Sequence, residues 1–210
     1  MNPPRPFTAE YARTKALGER ACLAACSDEF SVVAVAPHQV YGPRDRLAMP
    51  NILSAARRSL FRVFGTGDTA ISMTYVDNYC HALMLAEKAL APGSVLCGNF
   101  YIVTDGPPCN FWRTMDNVIT SLYGADRSIY RLWSIPRWLI LGAAYCCDVM
   151  AYLTGKPLKL NSFAVKMLTI DRYFDISNAR RDFAYEPIVP PQEGWIRTIA
   201  WLRLNGQGQG

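Results

Sequence analysis

The stretch Phe30-Ser31-Val32-Val33-Ala34-Val35-Ala36 is apolar apart from one serine and is stopped by Pro37. A run this short, rich in valine and without polar alternation, reads as a strand covered on both faces, which is the habit of parallel sheets sandwiched between helices. The segment before it agrees. Thr8 is a plausible helix cap, and Ala9 to Cys26 is rich in Ala, Leu, Glu, Arg and Lys, all good helix formers. A helix feeding a buried strand is the repeating step of an α/β chain.

The pattern continues downstream. Asn51 to Leu60 has helical spacing, Arg62 to Phe64 reads as a strand, and Gly65-Thr66-Gly67-Asp68 as a turn. Ile71, Met73 and Tyr75 alternate as in a strand, and Asp77 or Asn78 is expected to cap a helix reaching about Leu90. Asn99 to Thr104 predicts a strand and Phe111 to Tyr123 a helix closed by Gly124. Tyr173 to Ile176 predicts a short strand, followed by a helix Asn178 to Phe183 capped by Asp175 or Ser177. An amphipathic helix Glu193 to Leu204 and a loose tail from Gly206 to Gly210 end the chain. The fold class expected is α/β.

Half of the 210 residues are hydrophobic and 19% are charged, which supplies a core and excludes wholesale disorder. The net charge of +5 is mildly basic, yet the tightest basic pairs are Arg57-Arg58 and Arg180-Arg181, so no nucleic-acid partner is expected. Seven cysteines without a C-x-x-C pair, and only two histidines, supply a zinc site poorly. No metal is expected, and the cysteines read as reduced, buried thiols of an intracellular protein. Met1 to Pro6 lacks the apolar core of a secretory leader. The apolar segment Leu132 to Leu153 contains Pro136, Arg137 and Asp148, and its longest unbroken run is too short to span a bilayer. A buried helix is the first expectation there, and contact with a membrane surface the second.

Tyr11 and Lys15 stand four apart in the first helix, where side chains at that spacing share a face. A phenol ordinarily loses its proton near pH ~10, and a neighbouring ammonium favours the phenolate, which moves the group toward the range useful to a general base. A second Tyr-x-x-x-Lys, Tyr152 and Lys156, is interrupted by Gly155 and followed by Pro157, so it does not lie within one helix.

Taken in order, Tyr11-Ala12-Arg13-Thr14-Lys15, the strand after it and Pro37-His38-Gln39-Val40-Tyr41-Gly42-Pro43 resemble the extended short-chain dehydrogenase/reductases. Thr74-Tyr75-Val76-Asp77-Asn78, Tyr101-Ile102-Val103-Thr104-Asp105-Gly106 and Phe174-Asp175-Ile176-Ser177 narrow the resemblance to 3β-hydroxysteroid and sterol-4α-carboxylate 3-dehydrogenases, over about residues 7 to 203. The resemblance implies a Rossmann-like fold, NAD or NADP as cofactor with NAD favoured, and a steroid or sterol substrate oxidised at a 3β-hydroxyl. It implies that Tyr11 takes the hydroxyl proton while Lys15 lowers the Tyr11 pKa and holds the nicotinamide ribose. It also implies that Pro37, His38 and Val40 line the nicotinamide. His81 and Asp77 are expected to be structural, the latter as a helix cap.

Two departures accompany the resemblance. The strand, Gly-rich turn and helix that hold the pyrophosphate in this family do not precede Tyr11. Gly65-Thr66-Gly67-Asp68-Thr69-Ala70 fits the G-x-G-x-x-A spacing but precedes an alternating strand, so it reads as a turn. Ala36 also stands where the family usually has Arg. The chain is therefore expected to be the C-terminal portion of such a dehydrogenase, with an incomplete parallel sheet. On this reading residues 1–40 end the cofactor domain, 41–205 form the substrate region, and 206–210 are tail. A strand lacking its neighbours exposes an edge, which invites pairing with a partner, so a homo-oligomer is among the expectations. The expected location is cytoplasmic or at the endoplasmic-reticulum membrane surface. The same fold also hosts sugar-nucleotide epimerases and dehydratases, the alternative reading, and a non-catalytic binding remnant is the third.

Overall fold

The computed structural model of the protein describes residues 10–156, 158 and 160–205, with the side chains of Glu10 and Tyr11 left aside. The expected cap Thr8, the break at Pro157 and the tail from Gly206 lie outside the described residues. Helix α1 (Glu10–Ala24) leads into strand β1 (Val33–Pro37). There follow β2 (Val40–Tyr41), α2 (Ala48–Arg57), β3 (Ala70–Ile71), β4 (Thr74–Tyr75), α3 (Val76–Ala89), β5 (Asn99–Val103), β6 (Cys109–Asn110) and α4 (Phe111–Tyr123). Helices α5 (Arg137–Thr154), α6 (Ser162–Thr169), α7 (Ser177–Phe183) and α8 (Pro191–Leu204) complete the chain.

The sheet consists of three two-stranded pieces. β1 runs parallel to β5 with Val33 opposite Asn99 and Pro37 opposite Val103. β2 runs parallel to β4, and β3 antiparallel to β6. Thr74 knots the first two pieces together: its hydroxyl oxygen accepts from the His38 N–H at 3.1 Å and is placed to donate to the carbonyl of His38 or Val103, at 2.9 and 3.0 Å. β1 pairs only with β5 among the described residues, and every residue of β1 is half-buried. Among the described residues the strand is thus an edge, as the incomplete sheet predicts, and its faces are only partly covered. It also begins later than expected, because Ser27 and Phe30 close a backbone turn and Phe30 faces solvent.

Other expectations are corrected in detail. α2 starts three residues before Asn51 and ends before Leu60, which is exposed. The early start has a cause: Asp45 accepts hydrogen bonds from the N–H groups of Leu47, Ala48 and Met49 at 2.7–3.1 Å, satisfying orphan donors of the first turn. Arg62 to Phe64 forms only an isolated bridge between Phe64 and Ile135, and Tyr173 to Ile176 forms no strand. The alternating segment at 70–75 splits into two strands on different sheet pieces and is buried through most of its length, since Ile71, Ser72, Thr74 and Tyr75 are all covered. Gly65 and Gly67 adopt positive φ in a turn, as the sequence predicts.

Two hydrophobic clusters hold most of the interior among the described residues. One gathers Trp112, Met115, Val118, Ile119 and Leu122 of α4 with Met49 and Leu53 of α2, Ile71 and Leu202 of α8. The other packs Ala82 and Ala86 of α3 against Tyr101 and Val103 of β5 and Phe183 of α7. Helix α5 is not the buried helix expected. Only Ile140 and Ala144 are buried along it, while Trp138 (75% exposed), Tyr145, Val149, Met150, Tyr152 (88%) and Leu153 face solvent. The reason is that α4 and α8 already fill the core, which leaves α5 only a small contact with Val165 of α6 and the partly buried Phe64, Ile135 and Leu160. No helix among the described residues is long and apolar enough to cross a membrane. The thiols also depart from expectation: none of the seven is buried, and Cys22, Cys80 and Cys146 are exposed.

Candidate active site

An open cleft of about 1010 Å³ lies at the carboxyl end of β1. Open α/β sheets bind their ligands at this end, where the strands stop and the loops diverge. Lys15 and Glu19 of α1 form one wall, and Ala34 to Pro37 with Gln39 and Val40 form the floor. Gly42 to Leu47, Val76, Tyr79 and Phe100 close the rest. Lys15 and Glu19 share a helix face by their four-residue spacing. Tyr11 is one turn earlier in α1, and its side chain is outside the described residues.

Lys15, Pro37 and Val40 thus line a single cleft. His38 is arranged differently. Its Nδ1 lies 2.7 Å from the Ser72 carbonyl, so that nitrogen carries a proton and donates, and the ring packs 4.9 Å from Phe174. Burial holds the His38 pKa below the usual imidazole value, and the nearby Arg172 guanidinium pushes the same way. Its N–H is also taken by Thr74. The cleft is lined at this point by Pro37, Gln39 and Val40, and His38 is absent from its lining.

The loop after β2 requires glycine. Gly42 has φ +149, and a Cβ placed there would stand 2.6 Å from Val76 Cγ1, a clash that closes the position to any side chain. The cleft rim then carries Arg44 and Arg46, both exposed, on either side of the Asp45 that caps α2. Tyr79 reaches across the floor and donates to the Val35 carbonyl at 3.2 Å; burial pushes its phenol pKa up, so it stays neutral.

Sequence reasoning missed Glu19, Arg44, Arg46 and Tyr79. Glu19 could have been found by continuing the four-residue stripe from Tyr11 and Lys15. Tyr79 could not, because its role depends on α3 crossing β1. Asp77 and Asn78 are not caps of α3: Tyr75 stands at the capping position, and its side chain makes no capping hydrogen bond. Instead both Asp105 oxygens accept from the Tyr75 N–H at 2.8 and 3.0 Å. Asn78 is fully buried, donates to Asp105 and to the Val189 carbonyl, and accepts from the N–H groups of Ile188 and Val189. All four hydrogen-bonding positions of its amide are filled. Asp77 pairs with Arg197 at the surface, 3.6 Å away.

Residues 2–134 match the model of the 3-beta hydroxysteroid dehydrogenase/isomerase family. The chain belongs to that family. It is 35% identical over 95% of its length to the 3beta-hydroxysteroid-dehydrogenase/decarboxylase isoform 1 of Arabidopsis thaliana, covering 47% of that protein. It is 34% identical over 92% of its length to the 2-alkyl-3-oxoalkanoate reductase of Stenotrophomonas maltophilia, covering 58% of it. The human sterol-4-alpha-carboxylate 3-dehydrogenase, decarboxylating, is 28% identical over 92% of the chain and is covered to 52%. The chain therefore spans roughly half the length of the curated relatives it matches. Among solved structures, the dTDP-glucose 4,6-dehydratase DesIV of Streptomyces venezuelae, with NAD and TYD bound, superposes with a TM-score of 0.63 at 18% identity. The alignment covers 97% of this chain and 53% of that one. The UDP-glucuronic acid 4-epimerase of Bacillus cereus, in complex with NAD, gives 0.61 at 17% identity, covering 96% and 54%. These likenesses establish the α/β, Rossmann-like fold of the extended short-chain dehydrogenase/reductases.

Proposed function

We propose that this protein supplies the catalytic helix and substrate side of an NAD(P)-dependent oxidoreductase acting on the 3β-hydroxyl of a steroid or sterol. The observation that supports the reading most is the cleft itself: Lys15 on one wall and the Pro37–Val40 segment on the floor, at the carboxyl end of a parallel strand pair. In this reading Tyr11 takes the hydroxyl proton. Lys15, one helical turn on, favours the phenolate and donates to the ribose hydroxyls. The dinucleotide, when bound, accepts the hydride from the carbinol carbon. The lining suits the nicotinamide–ribose end, with the Lys15 ammonium on the wall and Pro37, Gln39 and Val40 on the floor. The turn that would hold a pyrophosphate is not among the described elements.

The names of two relatives share a chemical feature, a 3-position oxygen beside a carboxylate, in a sterol-4-alpha-carboxylate and in a 2-alkyl-3-oxoalkanoate. Arg44 and Arg46 on the rim are the cations suited to such a carboxylate, since a guanidinium binds it through two parallel hydrogen bonds. The exposed face of α5, carrying Trp138, Tyr145, Val149 and Tyr152, suits contact with a membrane surface, where a hydrophobic substrate would be delivered.

The test uses purified chain with NAD and a 3β-hydroxy-4-carboxysterol, followed by NADH absorbance. Whatever turnover the chain has without the pyrophosphate-holding turn is expected to fall about 100-fold or more in Tyr11→Phe, in line with loss of a general base. Lys15→Met is expected to lower it as well, and to raise the pH at which activity sets in. Absence of turnover in the unaltered chain overturns its competence. Undiminished turnover in Tyr11→Phe overturns the mechanism.

A further inference from the structure

The loop that leaves α1 and the loop that enters β5 meet, and each brings a cysteine. Cys26 follows the last turn of α1, just before the turn closed by Ser27 and Phe30. Cys97 ends a turn whose N–H donates to the Ser94 carbonyl at 3.0 Å, two residues before Asn99 opens β5. The two loops are held together by the Gly98 N–H, which donates to the Val32 carbonyl at 2.8 Å. Gly98 adopts φ +69, and a Cβ built on it would stand 3.8 Å from the Cys26 Cβ, the distance of ordinary van der Waals contact. The Ser94 hydroxyl lies 3.7 Å from the Cys97 sulfur, with either atom able to donate, and the Cys26 and Ser31 side chains lie close enough to interact with that sulfur. Cys97 in turn donates to the Ala91 carbonyl at 3.1 Å. Both thiols are half-exposed, so a small oxidant reaches them.

We propose that Cys26 and Cys97 form a redox pair that closes to a disulfide under peroxide, fastening the end of α1 to the head of β5. The hydroxyls around Cys97, Ser31 foremost, hold its pKa below the ordinary thiol value, which makes it the attacking member. Its thiolate attacks one peroxide oxygen, the O–O bond breaks, hydroxide leaves and takes a proton to become water, and the sulfur becomes a sulfenic acid. The Cys26 sulfur then attacks the Cys97 sulfur, the S–O bond breaks, and a second water leaves with the remaining protons. Two thiols together lose two electrons and one hydrogen peroxide becomes two waters. Thiol reductants reverse the bond by exchange. Because α1 carries Lys15, the linkage ties down the loop that follows the element forming a wall of the cleft. The pair does not depend on the proposed dehydrogenase activity.

The test is peroxide treatment of the full chain followed by mass spectrometry, in a Cys22→Ser, Cys109→Ser background because Cys22 falls in the same tryptic peptide as Cys26 and Cys109 in the same one as Cys97. The expected result is loss of the mass of two hydrogen atoms, a crosslinked peptide joining Cys26 to Cys97, and recovery of both thiols with dithiothreitol. Cys26→Ser is expected to leave Cys97 as a sulfenic acid that dimedone traps. Cys97→Ser is expected to slow oxidation of Cys26 at least tenfold. A disulfide that joins either residue to a different cysteine overturns the proposal. So does oxidation of Cys80 or Cys146 while Cys26 and Cys97 remain free thiols.

Discussion

Helix α5 is the more apolar of the pair α4 and α5, yet α4 is the one that is buried. α4 places Phe111, Trp112, Met115, Val118, Ile119 and Leu122 on one side, and that side is buried. α5 is apolar nearly all round, from Trp138 to Leu153, and buries only Ile140 and Ala144. The difference lies in arrangement. A one-sided helix can satisfy its whole apolar face with a single core. A helix that is apolar on every side needs partners on every side, and α5 finds them only along one narrow line against α6. Trp138, Tyr145, Val149 and Tyr152 recur at seven-, four- and three-residue steps, which stacks them into one exposed stripe. Contiguous apolar surface of this kind marks an interaction site.

The largest effect that sharpens the contrast is expected from Trp112→Ala. Trp112 is fully covered and lies against Phe61, Phe64 and Phe111, so its removal should cost about 3–5 kcal/mol in urea denaturation. Asn78→Ala should follow. It strands the N–H groups of Ile188 and Val189 without partners in a dry interior, a cost of about 1–3 kcal/mol read by the same denaturation. The smallest effect on stability is expected on α5. Trp138→Ser, Tyr145→Ser and Tyr152→Ser should each change stability by about 0.5 kcal/mol or less, since they remove exposed side chains. The triple variant should nevertheless lose flotation with anionic phospholipid vesicles. If it destabilises the protein as Trp112→Ala does, the two helices are not different in kind and the exposed face is part of a core.

Much of this architecture was legible in the residues. α4 starts and stops where Phe111 and Gly124 predict, because Asn110 caps it from the adjacent position, accepting from the Arg113 N–H at 2.9 Å, and Gly124 takes a positive φ. β5 was readable from its aromatic and β-branched residues. α3 was readable as a helix but not in how it begins, since its start is held by Asp105, distant in sequence. The candidate site divides the same way. Lys15, Pro37 and Val40 were reached by motif and do line one cleft. His38 stands between two of them in sequence yet points its ring at Ser72 and Phe174. Strand geometry alternates faces, but beyond Pro37 the chain turns through Gln39 at φ 47, and alternation no longer says where a side chain goes.

Gly194 shows a further layer. In the sequence it is a helix-weakening residue inside α8, at odds with its neighbours. In the fold a Cβ there would meet the Tyr41 hydroxyl at 2.7 Å and the Tyr75 ring at 3.0 Å, so the glycine is what lets α8 seat on β2 and β4. By itself the sequence determined most of the helices, the strands β1 and β5, the family, and the helix that carries Tyr11 and Lys15, because these rest on local spacing and on motifs contiguous in the chain. The tertiary structure alone decided that α5 is left outside, that Asn78 is a buried junction and that the loops bearing Cys26 and Cys97 meet. Each of those depends on which distant segments compete for the same space, and that competition is settled only when the chain has packed.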